Sequence, residues 1–316
     1  MTSGVRCDAK SCNLVPDVFF AISSLMLGVN RRWRGHFLRY LTLGGISLGI
    51  FGCGSPAGPV NSDAGFAPDG SSSHGIGGFS CARMGDVSGR AYCETTVSGV
   101  QLRFADARAP GPSSLVIYLH GDGARAYTSD GAMKALLAWA DANGARVLAA
   151  LAPNGCAWWQ KPSHVCSATI EERDDAGENA VALDSVFREL KARYDIKNGP
   201  VFFYGSSGGT IFLSRWFVPR FGDAYPGAYA MNCGGDAPAK SEFMWDVDSA
   251  ARRADTRFYF TYGDRDFLAD AARASVAAYA SFGFATDEKV IAGADHCAFD
   301  AHARSAEVFT QYLSAK

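Results

Sequence analysis

The chain of 316 residues lacks any apolar run of the roughly 20 residues that a bilayer-spanning helix needs, which excludes a multi-pass membrane protein. It lacks an excess of positive charge: 30 Lys+Arg stand against 32 Asp+Glu. No basic stripe is available for a phosphate backbone, so nucleic acid is not an expected partner. It has no CxxC pair and no His-rich spacing, hence no zinc signature, and neither a metal nor an organic cofactor is expected. Its 35 glycines and 12 prolines are too few for a low-complexity chain, whereas 48% hydrophobic residues suffice for one buried core with appendages.

The composition shifts near the N-terminus. Arg31, Arg32, Arg34 and Arg39 precede an uncharged stretch, Leu41 to Gly52, that ends at Cys53. This is the n-region and h-region of an export signal, too short to span. Ile50-Phe51-Gly52-Cys53 resembles a bacterial lipobox, which implies a diacylated Cys53 as the mature N-terminus and a membrane partner through that lipid; an ordinary signal cut nearby is the alternative. Residues 1–52 are thus expected to be the signal region, with translation starting at Met26 or Val29. Residues 53–77, rich in Gly, Ser, Pro and Asp, read as the lipidated cysteine and a flexible tether. The folded domain is expected over 78–316, in the cell envelope or secreted.

From Cys81 onward there are six cysteines, an even number behind an export signal, which suggests three disulfides. Cys81 and Cys93 flank one polar turn, Cys156 and Cys166 bracket one loop, and Cys233 is left with Cys297. Free buried thiols are the alternative.

Segments 91–96 and 99–105 read as an antiparallel lead-in hairpin. After it, apolar runs at 114–119, 146–152, 200–205, 226–232, 256–262 and 286–292 alternate with helix-length stretches at 129–143, 176–194, 208–221, 267–282 and 301–315. In the second of these, Val181, Leu183, Val186, Phe187 and Leu190 are expected to form one buried face. Strand and helix in this alternation predict an α/β fold, a mostly parallel twisted sheet with helices on both faces, and place the chemistry at the carboxyl ends of the strands.

Four such strand ends carry reactive groups. Residues 201–209 run from four apolar strand positions into Gly205-Ser206-Ser207-Gly208-Gly209 and then a helix. That is Gly-x-Ser-x-Gly in a strand-turn-helix context, with Ser207 as the nucleophile and Ser206 at the wrong offset. Strand 256–262 ends in Gly263-Asp264-Arg265-Asp266, and strand 286–292 in Gly293-Ala294-Asp295-His296. His296 is the expected general base, since the other late histidine, His302, falls inside the last helix. Asp266 is the expected acid, with Asp264 as runner-up and Asp270 assigned to solvent. A carboxylate there accepts the imidazole N–H, fixes its tautomer and stabilises the imidazolium. Strand 114–119 runs into His120-Gly121-Asp122-Gly123; backbone N–H groups of Asp122 and Gly208 are the expected oxyanion donors, and His120 is structural.

Together these motifs resemble the α/β-hydrolase superfamily over nearly all of 78–316. The stretch 222–235 after the elbow helix and the absence of a lid insertion are similar to the polyhydroxybutyrate depolymerase and feruloyl esterase branch. The resemblance implies a serine carboxylester hydrolase that works through an acyl-enzyme on a small-molecule or polymeric ester. A peptidase, an acyltransferase on the same triad and a catalytically silent envelope-binding lipoprotein are the alternatives. Trp158 and Trp159, in the loop 153–168, are candidate substrate-binding residues that would stack on an aromatic or sugar unit, or else pack a disulfide-closed loop.

Overall fold

Along the central strands, successive side chains enter opposite layers of the protein. Val116, Tyr118, Phe202 and Tyr204 belong to one buried cluster, Leu115, Ile117, Val201 and Phe203 to another. Period-two alternation with both faces apolar demands a sheet covered on both sides. The computed structural model describes residues 81–108, 111–166, 172–194, 196–246 and 249–316. The expected signal region, Cys53 and the tether through residue 77 lie outside the described residues.

The sheet has nine strands: β1 (Arg83–Val87), β2 (Arg90–Val97), β3 (Val100–Ala105), β4 (Ser113–Leu119), β5 (Ala145–Leu151), β6 (Ile196–Ser206), β7 (Gly227–Asn232), β8 (Arg257–Gly263) and β9 (Ala285–Ile291). Their order is β1-β2-β3-β5-β4-β6-β7-β8-β9. The first three are antiparallel, β3 meets β5 antiparallel, and from β5 to β9 all neighbours are parallel. The expected hairpin is β2 with β3. Its turn, Ser98-Gly99, and the preceding turn, Ser88-Gly89, have positive φ at both residues, which two-residue type I′ turns require. Strand β1 precedes the expected lead-in; as an edge strand it buries only Val87 and so carries almost no apolar pattern.

Besides two short 3-10 turns, seven helices are described: α1 (Arg125–Thr128), α2 (Gly131–Asn143), α3 (Glu178–Arg193), α4 (208–221), α5 (Ala250–Ala254), α6 (Ala269–Ser281) and α7 (Ala301–Ser314). Leu136 and Trp139 of α2 and Phe309 and Tyr312 of α7 cover one sheet face, while Phe187 of α3, Phe212 and Phe217 of α4 and Tyr279 of α6 cover the other. Two expectations are corrected. On α3 Val181 is exposed, and the buried face is Ala180, Leu183, Val186, Phe187 and Leu190. Position 181 lies about 200° from 183 around a helix, outside that stripe. The stretch 208–221, expected as one helix, is α4 in three parts: Gly208–Phe212, a π turn at Leu213–Phe217, and Val218–Phe221. The N–H of Val218 bonds to the carbonyl of Leu213, and Pro219 has no N–H for the carbonyl of Arg215.

Strand order reverses about β4, with β5 on one side and β6 on the other. The chain leaving β4 leads to α2 on one face, and the chain leaving β6 leads to α4 on the opposite face. A crevice therefore opens at the carboxyl ends of β4 and β6, the position where open α/β sheets hold their ligands.

Candidate active site

At the end of β6 the chain turns into α4 within one residue. Ser207 takes this turn at φ 49° and ψ −115°, a conformation that costs a non-glycine residue free energy and persists only where its surroundings enforce it. They do so here. The N–H of Ser207 donates to the Asn232 carbonyl at 2.9 Å, and its own carbonyl accepts from Thr210 and Ile211 at 2.8 and 3.0 Å. The flanking glycines are needed for close approach: a Cβ on Gly205 would lie 3.0 Å from the Thr210 backbone, and one on Gly209 would strike the carbonyl oxygens of Leu119 and His120. Ser206 pairs with Asn232 in the sheet instead.

The Ser207 hydroxyl donates to His296 Nε2 at 2.9 Å, and His296 Nδ1–H donates to Asp266 Oδ1 at 2.8 Å. These three residues, expected from the sequence, are brought together from the ends of β6, β8 and β9. Asp266 Oδ1 also accepts the Leu268 N–H at 2.8 Å, and Oδ2 is buried with no hydrogen-bond partner among the described residues. The runner-up, Asp264, accepts the Gly293 N–H at 2.8 Å and joins the ends of β8 and β9. Asp270 is exposed on α6 and pairs with Arg273. His302 lies on α7, its Nδ1 3.0 Å from the Tyr204 hydroxyl; burial lowers its pKa against a smaller opposing effect of Asp300.

His120 is fully buried. Its Nδ1–H donates to the Gly121 carbonyl at 2.7 Å, and its Nε2 accepts the Ala152 N–H at 3.0 Å. Burial pushes its pKa down to about 4 despite the bond to Gly121, so the neutral ring ties β4 to β5. The next residue is close-packed on Ser207: a Cβ on Gly121 would lie 3.1 Å from Ser207 Cβ. Gly208 opens α4, where helix geometry leaves an N–H without an intrahelical acceptor. The Asp122 carboxylate lies against Gly208. Trp159 donates its indole N–H to both oxygens of that carboxylate, at 3.0 and 3.1 Å.

The two tryptophans differ. Trp159 is partly exposed beside Gly208, with its Cδ1 3.1 Å from the point a Cβ there would occupy. Trp158 is fully buried and packs on Phe212 and His120, with ring centroids 5.1 and 5.9 Å away. The expectation that Trp158 binds substrate is therefore corrected: it is core beneath the loop, because the turn closed by the Gln160 N–H on the Ala157 carbonyl, 3.3 Å long, sends its ring onto Phe212 while Trp159 stays at the surface.

The cysteines are joined as Cys81–Cys93, Cys156–Cys166 and Cys233–Cys297. The last joins the end of β7 to the residue after His296, with Cys297 Sγ 3.9 Å from His296 Nε2. Sequence reasoning missed Phe267. This side chain, directly after Asp266, lays its ring on His296 with centroids 4.4 Å apart and planes at 40°, yet is 77% exposed. Its one sequence signal is an aromatic where a solvent-facing turn residue is expected. Among the described residues no cluster of His, Cys, Asp or Glu could hold a metal ion, and no helix is long and apolar enough to cross a membrane.

No family model and no curated protein matches the chain. Solved structures do. A carboxylesterase from Mesorhizobium loti matches at 17% identity over 71% of this chain and 99% of its own, with a TM-score of 0.54. Esterase PE8 matches at 16% identity over 67% of this chain and 96% of its own, with a TM-score of 0.50. A thermostable esterase matches at 16% identity over 71% of this chain, which spans 62% of that protein's length, with a TM-score of 0.49. At these identities the likeness is one of fold.

Proposed function

We propose, starting from a chain that has the α/β-hydrolase fold, that it is a serine carboxylester hydrolase acting through an acyl-enzyme. The observation that carries this is the continuous run of hydrogen bonds from Ser207 through His296 to Asp266, 2.9 and 2.8 Å long, at the strained turn after β6.

In the first step Ser207 Oγ attacks the ester carbonyl carbon as its proton passes to His296 Nε2. Asp266 accepts the Nδ1–H and stabilises the imidazolium. The N–H groups of Asp122 and Gly208 take the oxyanion that develops on the carbonyl oxygen. The alcohol leaves with the proton from Nε2, and a water deprotonated by the same nitrogen releases the acid and restores Ser207.

Export is part of the proposal, supported by three disulfides that form and persist in an oxidising compartment. A lipid on Cys53 rests on the sequence pattern alone. The substrate class is a small-molecule or polymeric ester. The test is hydrolysis of p-nitrophenyl acetate, butyrate and octanoate and of methyl ferulate by the purified oxidised domain and its Ser207→Ala variant. Turnover by the wild type and none by the variant is expected. A folded, oxidised wild type silent on every ester overturns the assignment.

A further inference from the structure

We infer that Phe267 is the wall on which the alcohol part of the ester stacks, so that esters of aromatic alcohols are favoured over alkyl esters of the same acid. This rests on the esterase reading above.

The direction of the chemistry decides which side of the crevice receives the alcohol. As Ser207 Oγ bonds to the carbonyl carbon, the carbonyl oxygen turns toward the N–H groups of Asp122 and Gly208. The bond to the alcohol oxygen then breaks, and that oxygen takes its proton from His296 Nε2. The alcohol therefore departs along the imidazole, away from the oxyanion loop.

The imidazole side carries the apolar side chains of Phe267 and Leu268, with the exposed Arg265–Asp295 ion pair next to them in the chain. The Phe267 ring lies on the His296 ring and keeps 77% of its surface in solvent. Leu268 Cδ1 stands 3.3 Å from the point a Cβ on Gly234 would occupy, and the Ser207 carbonyl oxygen lies 3.4 Å from that point, so Leu268 packs by Gly234 close to the Ser207 backbone. Cys297 Sγ, bridged to Cys233, lies 3.9 Å from His296 Nε2. The oxyanion side is polar, with the Asp122 carboxylate and the Trp159 N–H. An aromatic side chain in contact with the general base but left out of the core offers a free ring face at the place where the leaving group must pass. A second ring against it displaces water and gains an offset aromatic contact, equivalent to roughly three- to tenfold in kcat/KM.

Once the alcohol has left, every ester of one acid gives the same acyl-enzyme, so the contact acts on acylation alone. The experiment uses ethyl butyrate and benzyl butyrate. Loss of both activities in Ser207→Ala secures the esterase reading independently. In Phe267→Ala the kcat/KM for benzyl butyrate is expected to fall roughly three- to tenfold relative to that for ethyl butyrate, with Phe267→Trp retaining the preference. With benzyl alcohol and ethanol offered together as acceptors, the butyryl group divides between them and water. The benzyl share is expected to fall in Phe267→Ala, because transfer to an alcohol is acylation reversed. An equal loss on both esters with an unchanged division would overturn the inference and leave Phe267 as a shield for His296. A wild type with no preference for the benzyl ester would also overturn it. A wild type silent on both esters would overturn the esterase reading itself.

Discussion

Trp159 hydrogen-bonds through its indole N–H to both carboxylate oxygens of Asp122, and so ties the loop after β4 to the disulfide-closed loop after β5. Two further bonds run between the same segments: Gly123 N–H to the Cys156 carbonyl and Ala152 N–H to His120 Nε2, both at 3.0 Å. The loop that carries Asp122 is thereby held from outside its own strand. In the proposed mechanism this loop gives its Asp122 N–H to the oxyanion, and preorganised donors lose their value when they must be oriented during the reaction.

Replacing Trp159 by Phe keeps the ring and removes the donor. Turnover of a neutral ester is expected to drop roughly three- to tenfold, the worth of one ordinary hydrogen bond. Asp122→Asn, whose amide oxygen still accepts from the indole, should retain more activity than Asp122→Ala. Steady-state kinetics beside thermal melts check this. An Asp122→Ala enzyme as active as the wild type would show that the tie has no part in the reaction.

The Cys233–Cys297 bridge spans 64 residues and ends beside His296, with both cysteines at positive φ, 57° and 53°. In the chain-entropy description a bridge over such a span stabilises by about 4 kcal/mol. The double variant Cys233→Ser, Cys297→Ser is expected to lose stability of that order and, because the His296 loop is freed, kcat as well. Urea denaturation and turnover on one ester measure the two effects separately. Full kcat in the destabilised variant would confine the bridge to stability.

His120 makes stability depend on acid. Burial holds its folded pKa at about 4, against about 6.5 in an unfolded chain. Between these values the unfolded chain binds the proton and the folded protein does not, so stability is complete above about pH 6.5 and is lost as the pH falls toward 4. The full difference corresponds to about 3 kcal/mol. Denaturation midpoints at pH 7 and pH 4.5 should separate less in His120→Gln than in the wild type. Equal separations would mean that other groups govern the acid limb.

The central parallel strands were legible because strands buried on both faces read as uninterrupted apolar runs; all of Leu115 to Leu119 is buried. The elbow was legible because glycine at 205 and 209 answers a steric need that leaves few alternatives. The edge strand β1 was not, since one buried side chain makes no pattern. Nor was the difference between Trp158 and Trp159, which are identical in composition and adjacent in sequence. Only the packing of Phe212 beneath the loop decides which of them turns inward. The Asp122–Trp159 bond crosses 37 residues and the Phe267–His296 contact crosses two strand ends. Side-chain meetings at that distance are set by sheet order, which no local periodicity encodes.

The clasp between Cys81 and Cys93 bears on how this protein would carry a mechanical load. Strand β1 is paired antiparallel at the sheet's edge, and a pull on its leading end would ordinarily peel it away one hydrogen-bonded pair at a time. Here tension arriving at Cys81 passes through a covalent bond into Cys93, at the middle of β2, and bypasses β1 altogether. Any force transmitted from the segment that precedes Cys81 is thus delivered to a strand paired on both sides, and the rest of the sheet is insulated from unzipping at its margin.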